Sequence, residues 1–226
     1  MTECPAIIAA LRTEIKPLVR GWQEHRPAKD VFAYTKDHAI VVCAGMGSTR
    51  ATLAVQAALS IRPVTALLSV GLAGACDPSL SVADIIRAGT VVDAQSGERY
   101  TDMQFHQVLV STPTIASVNE KRRLHESYRA SAVDMEAATV ARIARAQNLP
   151  FQAIKAISDD ATFELQELAC FATPDGQFRQ AAFALYSAAR PRLWSKLFQL
   201  TGNSKRAVAS LTTELEAQLD WYRQRA

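Results

Sequence analysis

"VTALLSVGLAGAC", residues 64–76, stays almost wholly apolar from Val64 to Val70 and then meets glycine at Gly71 and Gly74. A continuous β-rich run of this length, ending in glycine, is the pattern of a strand buried on both faces. It is too short and too glycine-rich to span a bilayer. A strand dry on both sides needs other elements packed over each face, which points to an α/β architecture.

The flanking segments agree. "PAIIAAL" (5–11) reads as a first strand, followed by a helix from about Glu14 to Glu24. "VFAYT" and "HAIVVCAG" form a hairpin pair, and "STRATLAVQAAL" (48–59) carries alanine and leucine at helical spacing. "DIIRAGTVVDA" and "HQVLVST" are further strands, and "SVNEKRRLHES" is a short helix with Ser117 as cap and Glu120 in the box position. Then come strand "SAVDM", helix "EAATVARIARAQN", strand "FQAIKAIS" and two C-terminal helices at about 177–199 and 203–223. No repeat, low-complexity tract or linker interrupts the alternation, so one domain over 1–226 is expected, its C-terminal helices filling about 177–224.

Composition removes several classes of function. The chain has 226 residues, 49% hydrophobic and 21% charged, ordinary for a globular protein. A net charge of +3 is too small to imply a nucleic-acid partner. "MTECPAIIAALRTEI" lacks the basic start of a signal peptide. Cys4, Cys43, Cys76 and Cys170 make no C-x-x-C pair and have no histidine at ligand spacing. They read as free thiols in a reducing cytoplasm, with no metal site.

In sheets of this class ligands bind beyond the carboxyl ends of the strands. Polar signals collect there: Glu14 after the first strand, "GMGS" (45–48) after "VVCA", "GLAG" (71–74) after "LLSV", Ser158-Asp159 after "FQAIKAI", and Glu136 after "SAVD". In "SAVDMEAATVARIA" (131–144) the extended spacing turns Asp134 and Glu136 one way and Val133 and Met135 the other. Acids at this joint either cap the helix that follows, where the macrodipole favours them, or hold a substrate hydroxyl.

"VDMEAATVARIA" followed by "LPFQAIKAISDDA" resembles the signature of the nucleoside phosphorylase and nucleosidase superfamily, above all its methylthioadenosine/S-adenosylhomocysteine nucleosidases. "AALRTEIKPL" resembles that family's first turn, with Glu14 on its catalytic glutamate, and "GMG" and "SVGLAG" match its two glycine loops. "SVGLAGACDPSL", "TIASVNEKRRLHESYRASAVDMEAATVARIA" and the C-terminal helices resemble the hopanoid-associated branch, which releases adenine from adenosylhopane. The resemblance implies a three-layer α/β/α fold with a central mixed, partly barrel-like sheet. It also implies cleavage of the N-glycosidic bond of a purine nucleoside, a 5′-substituted adenosine, without cofactor, by a homo-oligomer such as a dimer.

Breaking a ribosyl–purine bond passes through a sugar cation, as in other glycoside cleavages. The resemblance gives Glu14 the part of a base that activates water, and Asp159 that of an acid protonating the purine. A carboxyl doing the latter near neutral pH needs an apolar surround, which "FQAIKAI" offers. Glu136 would grip the ribose hydroxyls, Met135 would pack on the sugar face, and Ala116 would offer backbone groups to the purine edge. Ser158, Ala73, Gly74 and Gly47 join the expected substrate-binding set through their motifs. Ile115 stands where family nucleosidases place an aromatic residue against the purine.

Family phosphorylases carry an arginine just before the second glycine loop and a serine inside it; here those positions are Ser69 and Leu72. Hydrolysis is therefore favoured, although Arg12 and Arg50 lie near enough in sequence to substitute. The alternatives kept open are adenosylhopane as substrate, phosphate as nucleophile, and a non-catalytic nucleoside-binding protein.

Other features read blandly. "GMGSTR" has Arg50 where a dinucleotide fingerprint needs its third glycine. "NEKRRLHESYR" is a solvated helix face, and His25, His38, His106 and His125 show no mutual spacing and lie at the surface. In "ARPRLWSKLFQL", Trp194, Leu197 and Phe198 share a face with Arg192 and Lys196 interleaved. That face packs on the protein or a second subunit, with weak membrane-surface contact as the minority reading.

Overall fold

The computed structural model describes residues 4–102, 104–164 and 194–224. Ten strands form one mixed sheet: β1 (Pro5–Ala9), β2 (Gln23–Ala28), β3 (Val31–Lys36), β4 (Ala39–Cys43), β5 (Ala66–Ala75), β6 (Ile85–Asp93), β7 (Arg99–Thr101), β8 (Gln107–Ser111), β9 (Ala132–Asp134) and β10 (Phe151–Asp159). The helices are α1 (Arg12–Ile15), α2 (Ser48–Ile61), α3 (Val118–Tyr128), α4 (Ala137–Ala146) and α5 (Trp194–Arg223).

The quoted stretch is the hub of the sheet. The first half of β5 pairs in parallel with β1 along one edge, its last two residues pair antiparallel with β9 on that same edge, and β10 runs parallel along the other. The path β10-β6-β8-β9-β5 closes on itself through the β5–β10 pairing, giving a five-stranded barrel. From β5 the sheet continues outward as β1-β4-β3-β2. Two dry faces follow. On one, Ala207, Leu211 and Leu215 of α5 pack over Ile7, Leu68 and Ile154. On the other, Ala51, Val55 and Ala58 of α2 and Val140 and Ala144 of α4 pack over Ile8, Val42 and Leu67. The architecture is thus the three-layer α/β/α with a partly barrel-like mixed sheet.

Several local expectations need correction. The helix read from Glu14 to Glu24 is one turn, Arg12–Ile15, followed by turns and then β2. Pro17 cannot continue the helical ladder and Gly21 adopts φ +79°, a conformation that favours glycine. The "GLAG" segment is no loop: β5 runs through both glycines to Ala75. Its glycines mark close approaches, since a Cβ at Gly71 (φ +138°) would sit 3.1 Å from Glu14 Oε2. The break read between two C-terminal helices at 199–203 is absent, because α5 passes through Gly202 without interruption. The buried Ala207, Leu211 and Leu215 recur every four residues, and that packing outweighs the ~1 kcal/mol that glycine costs a helix. Residues 177–193 of the first of those helices, and Cys170, fall outside the described residues.

Candidate active site

A cleft of about 260 Å³ opens at the carboxyl ends of β1, β5, β9 and β10. Its wall includes Glu14, Ala73, Gly74, Ile115, Ala116, Met135, Glu136, Ser158 and Asp159, so residues far apart in sequence meet around one hollow. Gly47 is not part of the wall, but its N–H donates to Glu136 Oε1 at 2.7 Å.

Glu14 is placed by the turn that ends β1. Its Oε2 accepts from the Leu11 N–H at 2.9 Å and its Oε1 from the Leu72 N–H at 3.3 Å. Burial pushes this carboxyl above its ordinary range, against those backbone bonds and the Lys155 ammonium, which pull the other way. A carboxylate poised upward in a dry wall is suited to take a proton. It also lies directly against β5 at Gly71 and Leu72.

The two acids of "VDME" sit in different surroundings. Strand β9 stops at Asp134, so the alternation expected through Glu136 fails and Met135 and Glu136 both reach the cleft. Asp134 accepts from Ser111 Oγ at 2.5 Å, from the Ala137 N–H at 2.9 Å and from Lys155 Nζ at 2.8 Å. It caps α4 and anchors a buried cation, with a side chain wholly closed to solvent. Glu136 faces the hollow. Burial pushes its carboxyl up to about 7, with the Asp134 charge adding and Lys155 and the Gly47 N–H opposing. Lys155 loses by burial but gains more from Asp134, Glu136 and Glu14, and sits above its ordinary value.

Asp159 is set by a bulge. The β10 register on β5 slips between Ile157 and Asp159, which leaves Ser158 unpaired and brings Asp159 opposite Gly74. Ser158 Oγ donates to Asp159 Oδ1 at 2.7 Å. The apolar surround expected from "FQAIKAI" is not what Asp159 meets: the Lys121 ammonium is bonded to its Oδ2. Lys121 also lines the cleft and is 1% exposed, so the run read as a solvated helix face holds one inward cation. The signal was present in the helical period. Ser117 caps α3, and Lys121 and the buried Leu124 follow on the same face. Lys155, inside an otherwise apolar strand, was missed in the same way.

Among the described residues lining the cleft there is no arginine. Arg12 instead pairs with Glu24 at 3.0 Å and lies over the Phe32 ring. Ser69 is buried within β5 with an unpartnered Oγ. No group of three or more potential metal-binding side chains occurs among the described residues. Cys4, Cys43 and Cys76 are buried free thiols. His38 and His106 are exposed, whereas half-buried His25 and His125 bond Thr35 Oγ1 and the Ala130 carbonyl. Phe198 is 74% exposed, the side chains of Trp194 and Leu197 lie outside the described set, and no described helix is long and apolar enough to cross a membrane.

A profile of the Phosphorylase superfamily matches residues 6–116 and 103–189. The aminodeoxyfutalosine nucleosidase of Campylobacter jejuni is 25% identical, covering 69% of this chain and 85% of that protein. Among solved structures, a mutant of the Helicobacter pylori nucleosidase MTAN with 5′-methylthioadenosine in its active site aligns with TM-score 0.74 at 18% identity, over 97% of this chain and 99% of that one. The futalosine hydrolase of Helicobacter pylori aligns with TM-score 0.73, again at 18% identity, over 97% and 98%. The 5′-methylthioadenosine/S-adenosylhomocysteine nucleosidase of Neisseria meningitidis, complexed with methylthio-immucillin-A, gives 0.68 at 18% identity, over 93% and 95%.

Proposed function

This chain belongs to the phosphorylase superfamily, and from that premise we propose that it hydrolyses the N-glycosidic bond of a 5′-substituted adenosine, releasing adenine. The observation that carries the reading is the convergence of Glu14, Glu136 and Asp159 on one cleft. Glu14 takes a proton from water attacking the anomeric carbon. Glu136 accepts hydrogen bonds from the ribose hydroxyls, which strengthen as the sugar turns cationic. Asp159 passes a proton to the five-membered ring of the leaving purine, so that adenine departs neutral. Met135 packs on the sugar, and Ile115 and Ala116 form the purine wall by apolar contact and backbone groups.

Water is favoured over phosphate by the wall itself. A phosphate dianion needs cationic donors free to turn to it, whereas the described wall holds no arginine, its Lys121 is already bonded to Asp159 and two carbonyls, and the Glu14 carboxylate adds a negative charge. Leu11, Met46 and Leu200 give the cleft apolar surface for the 5′ substituent. That lining suits a methylthio group and equally a longer hydrocarbon of the adenosylhopane kind.

The test is adenine release from methylthioadenosine, adenosylhomocysteine, aminodeoxyfutalosine, adenosine and a hydrophobic 5′-alkyl adenosine, each with and without phosphate. Turnover indifferent to phosphate is expected, fastest with an apolar 5′ group. Rates that climb with phosphate refute hydrolysis, and tight binding without turnover of any of them makes the protein a nucleoside binder.

A further inference from the structure

Lys121 has no part in the chemistry set out so far, yet its ammonium is built into the acid end of the cleft. It is carried by α3, one turn past the Ser117 cap, where a helix N-terminus disfavours a cation. It is 1% exposed, and its Nζ bonds Asp159 Oδ2, the Asp160 carbonyl at 2.9 Å and the Phe163 carbonyl at 3.2 Å. All three ammonium protons are thereby assigned. Gly74 makes the pairing possible: a Cβ there would lie 2.9 Å from Asp159 Oδ2 and 3.0 Å from Lys121 Cε. A buried cation held against an unfavourable dipole and given room by a glycine is a constructed feature.

We propose that Lys121 is the proton source of the site, its ammonium supplying through Asp159 the proton that leaves with the purine. The proposal rests on Asp159 being the acid. Before substrate enters, Lys121 and Asp159 form an ammonium–carboxylate ion pair. As the C1′–N9 bond breaks, its electron pair stays with the purine. One Lys121 N–H proton moves to Asp159 Oδ2, and N7 then takes that proton from Asp159. Water adds to C1′ and gives its proton to Glu14. The turnover ends with neutral Lys121, protonated Glu14, neutral adenine and the free sugar; Glu14 returns its proton to solvent and Lys121 regains one. Among the described residues, the titratable groups near this pair are Asp160 past β10 and Cys76 past β5, both of which feel the Lys121 charge, Glu120 on the same helix, and Glu164, which accepts from the Val118 N–H. Lys121 does not touch the substrate in this scheme; it acts through Asp159.

The experiment compares two leaving groups on Lys121→Met, Lys121→Arg and Asp159→Asn: adenine from methylthioadenosine, and 4-nitrophenolate from a nitrophenyl riboside bearing the same 5′ group, which departs without a proton. All three variants are expected to lose kcat for adenine release by at least about 100-fold, with KM and nitrophenolate release within about threefold of the parent. Arginine keeps the charge and the pairing but cannot surrender a proton. An active Lys121→Arg alongside a dead Lys121→Met therefore reduces Lys121 to a positioning charge and overturns the inference, as does an active Lys121→Met. Loss of both leaving groups in Asp159→Asn sinks the acid assignment itself, which is a separate failure. Should neither lysine variant fold, the unaltered enzyme decides. An alkaline limb of kcat that moves to lower pH on warming is that of an amine, and one that stays fixed is that of a carboxyl and overturns the inference.

Discussion

Lys155–Asp134 and Lys121–Asp159 are both ammonium–carboxylate pairs closed to solvent, with each lysine side chain 1% exposed. They differ in what holds them. Asp134 is fixed from three directions by Lys155, the Ser111 hydroxyl and the N-terminus of α4. The pair ties β9 to β10 across β5, which separates them in the sheet. Asp159 sits on a bulge, fixed by one neighbouring hydroxyl and by a lysine whose remaining bonds go to two carbonyls just past β10. The same two chemical groups make a brace where rigid elements use every oxygen. In our proposal they make a source of protons where the carboxylate sits on a bulge and both members line the cleft.

The largest effect should come from breaking the brace. Asp134→Ala leaves Lys155 buried without its bonded partner, and a loss of about 3–5 kcal/mol in urea unfolding is expected. A loss below about 1 kcal/mol would show that the pair does not brace the barrel. Next comes crowding at the other pair. Gly74→Ala pushes a methyl against Lys121 and Asp159, with an expected destabilisation of about 1–3 kcal/mol and a fall in kcat. Full activity in that variant would mean that the pair tolerates displacement and so is not finely placed.

Two smaller effects separate the lysines by pH. Lys155 lowers the Glu14 carboxyl, so Lys155→Met should move the acid limb of kcat/KM to higher pH, whereas Lys121→Met should leave that limb in place. A shared response would erase the distinction between the pairs. The smallest concerns Glu136, which is about 7 in the fold against an ordinary 4.5. A carboxyl raised on folding stabilises while protonated. That contribution is present below the ordinary value and fades as pH climbs through 7. The parent should therefore lose stability relative to Glu136→Gln between about pH 4.5 and pH 7, with a constant gap outside that window. Urea midpoints that run parallel through the window would contradict the burial of Glu136.

What was legible in the chain depended on how local its cause was. The β5 run, the α2 alternation and the Ser117 cap, whose Oγ accepts from the Glu120 N–H at 3.2 Å, all show in the sequence because each is decided within a few residues. Strand β2, "QEHRPA", is nearly all exposed at the sheet edge and carries no alternation to read. The extent of α5 depends on a distant apolar face that overrides Gly202. Among the site residues, the acids were visible because they stand at strand ends, and the lysines were not, because each hides inside a pattern typical of something else.

The sequence by itself indicated the α/β class, the strand ends that carry polar groups, and the acids that line the cleft, since periodicity and termini are local properties of a chain. Only the tertiary structure decided which ammonium meets which carboxylate. Lys121 and Asp159 are 38 positions apart. Their meeting requires barrel closure between β5 and β10, a one-residue slip at Ser158 and a missing side chain at Gly74. Charges in a dry interior pair by distance, and distance is set by the fold.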